Sequence, residues 1–357
     1  DATANPSGGT APFTYSWNNG ATSSVATISN IGIFYVTVTD SKGCTVSAST
    51  KIFTKDATAC CVEDYNTLPN TYKTVVGNSN NLVFTKLNGT STIVTWSNFI
   101  GNAAYTNTTI TDELVFIAGV VSTIPDRNFV FGPSARVIVK PNAKITFSNC
   151  VLTGMNCAIM WQGVYVKGDP NAFQTLQNQG WLVLNNTTIE NAHNGVNNFE
   201  FASFNFYTGG IIQATSSTFR NNFFAANFFP YGTKSGTNSI SFFKKCVFET
   251  TAPMKDIDSY GQNSSHKTFV LAWGIEITGV GTDGAFASNT FRTTATSFPA
   301  FNRGTGILAM EALFDVKKAP SGKGGNVFQN LDAGIDINNS LNGVSGPIEI
   351  NNNIFSN

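Results

Sequence analysis

The sequence predicts an all-β protein, a small antiparallel sandwich followed by a parallel β-helix in which short strands stack as successive coils. Three observations lead there. Only 12% of the 357 residues are charged, roughly half the share usual in globular domains. Asn, Thr, Ser and Gly take their place, and Asn and Gly tolerate the left-handed backbone that tight turns demand. Apolar residues seldom recur at the helical period, while strict alternation is common. A short motif built on one large apolar residue also returns, at irregular spacing, through most of the C-terminal two thirds.

The composition also excludes partners. Lys plus Arg and Asp plus Glu number 21 each, for a net charge of 0. Nucleic acid and anionic membranes both need a cationic field, so neither is expected to bind. The longest apolar run, 115–121, is far shorter than the ~20 residues of a membrane-spanning helix, and no membrane insertion is expected. With 41% hydrophobic residues and 30 Phe the chain can bury a core. Asp1 opens a polar stretch with no charged-then-apolar leader, so an export signal is expected to be removed or upstream.

Residues 1–52 form the first domain in this reading. Phe13, Tyr15 and Trp17 alternate with Thr14 and Ser16, the period of a half-buried strand. Asn19-Gly20 follows, a strong hairpin signal. Phe34, Val36 and Val38 make a second strand, Asp40 to Gly43 turns the chain, and Cys44 to Ala48 begins a third. The pattern is a partial immunoglobulin-like β-sandwich. Residues 53–112, with Cys60-Cys61 and Pro69, read as a connector and the first part of the solenoid.

From 113 to 357 the motif repeats as Cys150-Val-Leu152, Thr187-Thr-Ile189-Glu-Asn191, Ser217-Thr-Phe219-Arg-Asn221 and Cys246-Val-Phe248-Glu-Thr250. It continues as Asn289-Thr-Phe291-Arg-Thr293, Asn326-Val-Phe328-Gln-Asn330 and Asn353-Ile-Phe355-Ser-Asn357. Its apolar residues are separated by 37, 30, 29, 43, 37 and 27 positions, as coils with loops of variable length produce. One coil cannot bury its own apolar face, so Ile189, Phe219, Phe248, Phe291, Phe328 and Phe355 are expected to form one interior stack. The residues two places later, Asn191, Asn221 and Asn330 among them, are expected to hydrogen-bond up a ladder.

Of the six cysteines none forms a CxxC pair, which argues against a zinc ribbon or a thioredoxin-like site. Cys150 and Cys157 flank a turn-like Gly154-Met-Asn segment and are expected to bridge. The adjacent Cys60 and Cys61 would strain a mutual bridge. This cysteine use favours an oxidising location.

Ser7-Gly-Gly-Thr-Ala-Pro-Phe-Thr-Tyr-Ser-Trp17, Asn19-Gly-Ala-Thr22 and Val36-Thr-Val-Thr-Asp40 through Cys44 resemble the SprB-type repeat of bacterial gliding adhesins. The family favours Gly-Thr-Tyr before its Thr-rich strand, where this chain has Gly32-Ile-Phe34. The resemblance covers about residues 5 to 50. It implies an extracellular, tandemly repeated module without a catalytic role, exported by the type IX route. It also implies an earlier strand and cysteine, so Asp1 is expected to be a cut through a domain and Cys44 to have lost its usual partner. Met160-Trp-Gln-Gly-Val-Tyr-Val166 and Thr188-Ile-Glu-Asn-Ala-His-Asn-Gly195 resemble the right-handed, pectin-lyase-like β-helices of type IX-secreted surface proteins. That likeness implies a right-handed solenoid and is silent on activity.

Many such solenoids act on polysaccharides, which makes carboxylates the first candidates for chemistry. A glycosidase needs two acids about 5 to 10 Å apart. Asp256 and Asp258 would share a face if extended, and Asp332 and Asp336 flank a Gly-Ile coil start near Asp315. No acid cluster recurs in register, so solvated turn acids are the plainer reading. His193 beside Glu190 lacks any further member of a catalytic set, and His266 is the other histidine. Gly279 to Gly284 is not followed by a helix, which argues against a phosphate cradle. Loop acids at Asp256, Asp258 or Asp283 suit a calcium ion, though no calcium repeat is present. The density of aromatics from Phe199 to Tyr231 reads either as packing or as an exposed surface for a partner or sugar, because the neighbours Phe223-Phe224 and Phe228-Phe229 cannot both face inward.

The expected function is therefore a non-catalytic structural or adhesive module with no cofactor and no metal. Its expected partners are copies of itself, further modules of the same chain, or surface polysaccharide. The alternative is a polysaccharide-active or carbohydrate-binding β-helix. The coil at Phe355 has no recognisable cap after it, and unpaired strand edges invite further pairing, so that end is expected to continue or to pack on a neighbouring copy.

Overall fold

A computed structural model describes residues 2–27, 32–52, 70–133, 135–155, 159–202, 205–231, 238–252, 268–280, 284–294, 303–317, 325–338, 350–351 and 353–356. Cys60, Cys61, Cys157, Asp256, Asp258, His266, Asp283 and Asn357 lie outside them. The chain divides into two compact units, Asp1–Cys60 and Cys61–Asn357.

In the first unit Thr14–Trp17, Gly32–Thr39 and Thr45–Ile52 form an antiparallel sheet with Gly32–Thr39 in the centre. Alternation puts Trp17, Phe34, Val36 and Val38 on one face, where Ala2 and Ala26 of a second strand pair complete a small core. Gly20 takes the positive φ of 89° that the Asn19-Gly20 turn needs. The Asp40 carboxylate closes the next turn by accepting the N–H groups of Lys42 and Cys44, both at 2.9 Å, and that of Thr10 at 3.1 Å. The bond from Cys44, then that from Thr10, hold this carboxyl below the usual aspartate range.

The second unit starts with a cap. Thr71–Gly77, Asn81–Thr85 and Ser91–Thr95 form an antiparallel meander, followed by the helix Trp96–Gly101. Thr95 Oγ1 caps that helix by accepting the Asn98 N–H. Tyr72, Phe84, Phe99 and Tyr105 gather into one aromatic cluster, and Phe99 reaches Phe129 of the first full coil at 6.5 Å. The coil thus begins under an apolar lid, and residues 53–69 of the expected connector lie outside the described residues.

Three parallel sheets follow. The first runs through Val121–Pro125, Lys144–Ser148, Trp181–Asn185, Ile211–Thr215, Phe242–Lys244, Phe286–Ala287 and Val316–Lys317. The second runs through Asn128–Phe131, Val151–Gly154, Thr188–Glu190, Thr218–Arg220, Val247–Thr250, Thr290–Thr293, Val327–Gln329 and Ile354–Ser356. The third runs through Arg136–Val139, Trp161–Val166, Ala192–Asn197, Phe224–Phe228, Thr268–Trp273, Thr305–Met310 and Ala333–Asn338. Each coil visits the first, second and third sheet in turn, the order of a parallel β-helix. The long strand Asn107–Phe116 starts it by pairing with the second sheet through its first half and the third through its second.

The motif residues of the second sheet lie in one register. Ile189, Phe219, Phe248, Phe291 and Phe328 are buried. Successive phenyl rings stack almost flat, with centroids 5.0, 4.5, 4.7 and 4.9 Å apart from Phe219 through Phe355. Phe355 keeps the stacking contact but is 56% exposed, so it is no interior residue. Among the described residues nothing stacks on its other side.

The expected Asn residues bond between coils, and a longer polar ladder lies at a second corner. Asn191, Asn221 and Asn330 have φ of 59, 52 and 56°, so their first task is the left-handed corner between second and third sheets, which Asn tolerates. They bond across coils singly, to Thr153, Thr251 and Thr293. This longer ladder, in two runs, lies four residues earlier, at the corner between first and second sheets. There the N–H groups of Cys150, Thr187, Cys246, Asn289 and Asn326 donate to the side chains of Thr187, Ser217, Asn289, Asn326 and Asn353 on the following coil, at 2.8–3.4 Å. The side chains return the bond to carbonyls, as Asn289 Nδ2 does to Phe243 O at 2.9 Å. Each such bond contributes about 0.5–1.5 kcal/mol, and leaving one unmade in the interior costs more.

Cys150 belongs to this ladder. It is a buried free thiol that donates to Ile124 O at 3.2 Å, so the expected bridge to Cys157 is corrected at the Cys150 end. Burial pushes the Cys150 thiol up, and pushes Cys246 up to about 12. Thiolate is the reactive form. Brief alkylation of the native protein followed by peptide mapping should therefore modify exposed Cys44 and leave Cys150 and Cys246 unmodified until denaturant is added. Equal labelling of all three in native buffer would contradict the buried ladder.

Candidate binding face

Interior positions of the coil are filled, so contact chemistry is confined to the outer faces. On the second sheet the residue after each stacked apolar side chain points outward. Glu190, Arg220, Glu249 and Arg292 occupy that position on four consecutive coils, with alternating sign. Arg220 reaches Glu190 at 3.2 Å and Glu249 at 2.7 Å, and Arg292 reaches Glu249 at 2.7 Å. Burial alone would raise the Glu249 pKa, but the hydrogen bonds and charges of both arginines outweigh it and hold the carboxyl below its usual range. A lowered native pKa stabilises the fold at pH above the ordinary glutamate range and ceases to do so as pH falls through the native value. Thermal unfolding should accordingly show a midpoint that drops on acidification through this window, with a shallower drop in Glu249→Gln. An identical acid slope in the two proteins would remove Glu249 from the account.

The third sheet has the richer outer face. At its capped end Glu200 is only 3% exposed. Arg136 Nη1 bonds Glu200 Oε1 at 3.1 Å, the Lys167 ammonium pairs with Oε2, and Arg136 also binds Glu113 at 2.6 Å. Burial, then the neighbouring charges of Lys140 and Arg136, push the Lys167 ammonium below its ordinary pKa against the pull of Glu113. Lys167 lies 4.9 Å from the Tyr207 ring centroid. Tyr207 and Glu200 exchange backbone hydrogen bonds at the base of the Phe201–Phe206 hairpin, so this network fixes the hairpin to the sheet.

Amides and aromatics follow on the next coils. Asn227 Nδ2 donates to Asn194 Oδ1 at 2.6 Å, and burial raises the Tyr165 pKa against a hydrogen bond with Asn194. Asn197 is fully buried, with its Oδ1 unpaired among the described residues. Beyond these, Phe199 and Phe229 lie 3.8 Å apart, and Phe229 meets Trp273 nearly edge-on at 5.7 Å. The aromatic density of the sequence thus splits in two. Phe228 is interior and Phe229 exterior, while Phe223 packs with Met160 and Phe224 in a small separate cluster.

The sequence candidates for catalysis are dispersed. Asp315 pairs with Lys317 at 2.7 Å, Asp332 accepts the Gly304 N–H at 2.9 Å, and Asp336 is exposed on the third sheet. Glu190 is bound by Arg220, and the His193 ring lies 5.4 Å from that of Phe223. Among the described residues no group of three or more His, Cys, Asp or Glu side chains is arranged to hold a metal. Sequence reasoning missed Glu200, Lys167 and Arg136 as a set, and only the alternating Glu and Arg after each stacked residue was there to reveal the outer charge row.

Residues 1–22 match the SprB repeat family. The match coincides with Ala2–Thr3, Thr14–Trp17 and the turn after it, and supports a surface adhesin-type module at this end. No match was found among curated proteins or among solved structures. No described helix is long and apolar enough to cross a membrane.

Proposed function

We propose that this chain is a non-catalytic structural and adhesive module of a bacterial surface protein, with the SprB-type repeat leading into a solenoid that acts as a stiff carrier. The observation that carries this reading is that four glutamates on the second and third sheets are tied up in ion pairs. Glu113, Glu190, Glu200 and Glu249 are each bound by Arg or Lys across coils. A carboxylate committed to a guanidinium is a poor general acid or base, whereas a row of such pairs ties coil to coil. The stacked rings from Phe219 to Phe355 and the two runs of the ladder tie successive coils together, which suits a rod that resists proteolysis. Export by the type IX route and display within a long adhesin or filament are the finer parts of the proposal, and they rest on the SprB resemblance.

The test is a turnover assay on the full chain with neutral and acidic polysaccharides, read as new reducing ends and as unsaturated products, alongside limited proteolysis. No product and a persistent solenoid-sized fragment are expected. Release of product that disappears in Glu200→Gln would overturn the reading in favour of an enzyme.

A further inference from the structure

We propose that the outer face of the third sheet around Trp273 is a contact site for neutral polysaccharide. The inference deepens the adhesive reading and rests on it. Trp273 is 44% exposed, the one exposed tryptophan of the five. The other four indole N–H groups donate to protein acceptors, namely Ser23 O, Asn78 O, Glu190 O and Gln213 Oε1. That of Trp273 has no acceptor among the described residues, which leaves a donor on a 44% exposed ring available to a ligand.

The ring is held for this role. Phe199, Phe229 and Trp273 stand at the same end of third-sheet strands on three successive coils, which are spaced about 4.8 Å apart. The nearly edge-on contact from Phe229, itself backed by Phe199, fixes the plane of the indole. A rigid aromatic plate with an available N–H offers a flat apolar surface and a hydrogen bond side by side. A pyranose presents the matching pair, an apolar C–H face rimmed by hydroxyls. The next two coils add half-buried Leu308 and Met310, then exposed Asp336 and Asn338, in the same outward rows. Those polar groups can meet hydroxyls beyond the plate.

Charge and area decide against other occupants. Lys167 and Arg136 are already committed to Glu200 and Glu113, and exposed Lys140 stands four coils before Trp273 in the same row, more than a Debye length away, so the face around Trp273 sets up little field to attract a polyanion. A stable protein interface covers about 800 Å² per partner, and one half-exposed indole between half-buried neighbours is far short of that. A polymer that gains strength by repeating a weak contact along its length fits such a surface.

The experiment is affinity electrophoresis of the full chain in gels containing hydroxyethyl cellulose, laminarin, mannan or polygalacturonate. Trp273→Ala and Trp273→Phe are compared with Val121→Ala, which alters an exposed apolar residue of the first sheet. Retardation by at least one neutral polymer is expected, weakened at least tenfold in Trp273→Ala, partly kept in Trp273→Phe and unchanged in Val121→Ala. Three results would each overturn the proposal: no retardation by any neutral polymer, retardation by polygalacturonate alone, or equal retardation of native protein and Trp273→Ala. A circular dichroism melt confirms that each variant is folded before it is scored. The turnover assay on the same samples separates the two ideas, since product release defeats the non-catalytic reading whatever the gels show, and absent retardation defeats only the glycan site.

Discussion

Phe248→Ala is expected to lower the stability of the solenoid unit by about 3–5 kcal/mol, the range for removing a fully buried phenyl ring. Phe248 has no exposed surface and lies between Phe219 and Phe291 at 5.0 and 4.5 Å, with interplanar angles of 9 and 5°. Phe243 closes the side of the ring at 5.4 Å. The hole left by alanine cannot collapse easily, because the strands above and below are fixed by backbone hydrogen bonds. Loss is expected to be much smaller for Phe355→Ala, whose ring touches a neighbour on one face only. Chemical denaturation of the two variants side by side is the measurement. Equal shifts in midpoint would mean that the stack is not where this stability resides.

Gly163→Ala is expected to be as damaging, through the backbone. Gly163 sits at a register shift between Trp161–Val166 and Ala192–Asn197, with φ of 98°. That conformation alone costs a non-glycine residue about 1–3 kcal/mol. An added Cβ would also fall 1.5 Å from Asn194 O, so one of two hydrogen-bonded strands must move. Gly119→Ala isolates the conformational part, because Gly119 has φ of 87° and a Cβ added there would meet nothing within 4 Å. The melting temperature should therefore fall further for Gly163→Ala than for Gly119→Ala. Equal falls would show that the contact with Asn194 is relieved without cost.

The two substitutions mark what could be read from the letters. The stack was legible because its members are large, apolar and at a fixed place in a repeated motif. Asn191, Asn221 and Asn330 share a letter and do bond between coils, but the longer ladder at the other corner went unread because its members mix Cys, Thr, Ser and Asn. What those residues have in common is small size and one usable hydrogen bond, which composition does not display. The Glu200 network was not legible at all. Arg136 and Glu200 lie 64 positions apart, and loops of unequal length decide which residue rests above which. The bulge at Gly163 is likewise a product of how two neighbouring coils align.

The ladder has a direction, and that direction governs how the rod yields. At its corner the backbone N–H donates to a side chain of the coil that follows in two runs, from Cys150 through Thr187 to Ser217 and from Cys246 through Asn289 and Asn326 to Asn353. At the opposite extreme the same column begins with Arg127, whose guanidinium binds Asp126 O at 3.1 Å and Phe99 O at 2.9 Å at the end of the cap helix. One extremity is therefore anchored by a cation, and within each run a level depends on its successor for the partner of its corner N–H. In such a one-dimensional array, strength is a sum over neighbouring contacts. Tension applied far from the cap is expected to peel one level and, where that level accepts a corner N–H, to leave that amide unsatisfied. Under load the coils are expected to yield from the far end toward Arg127, a level at a time, while the capped end holds.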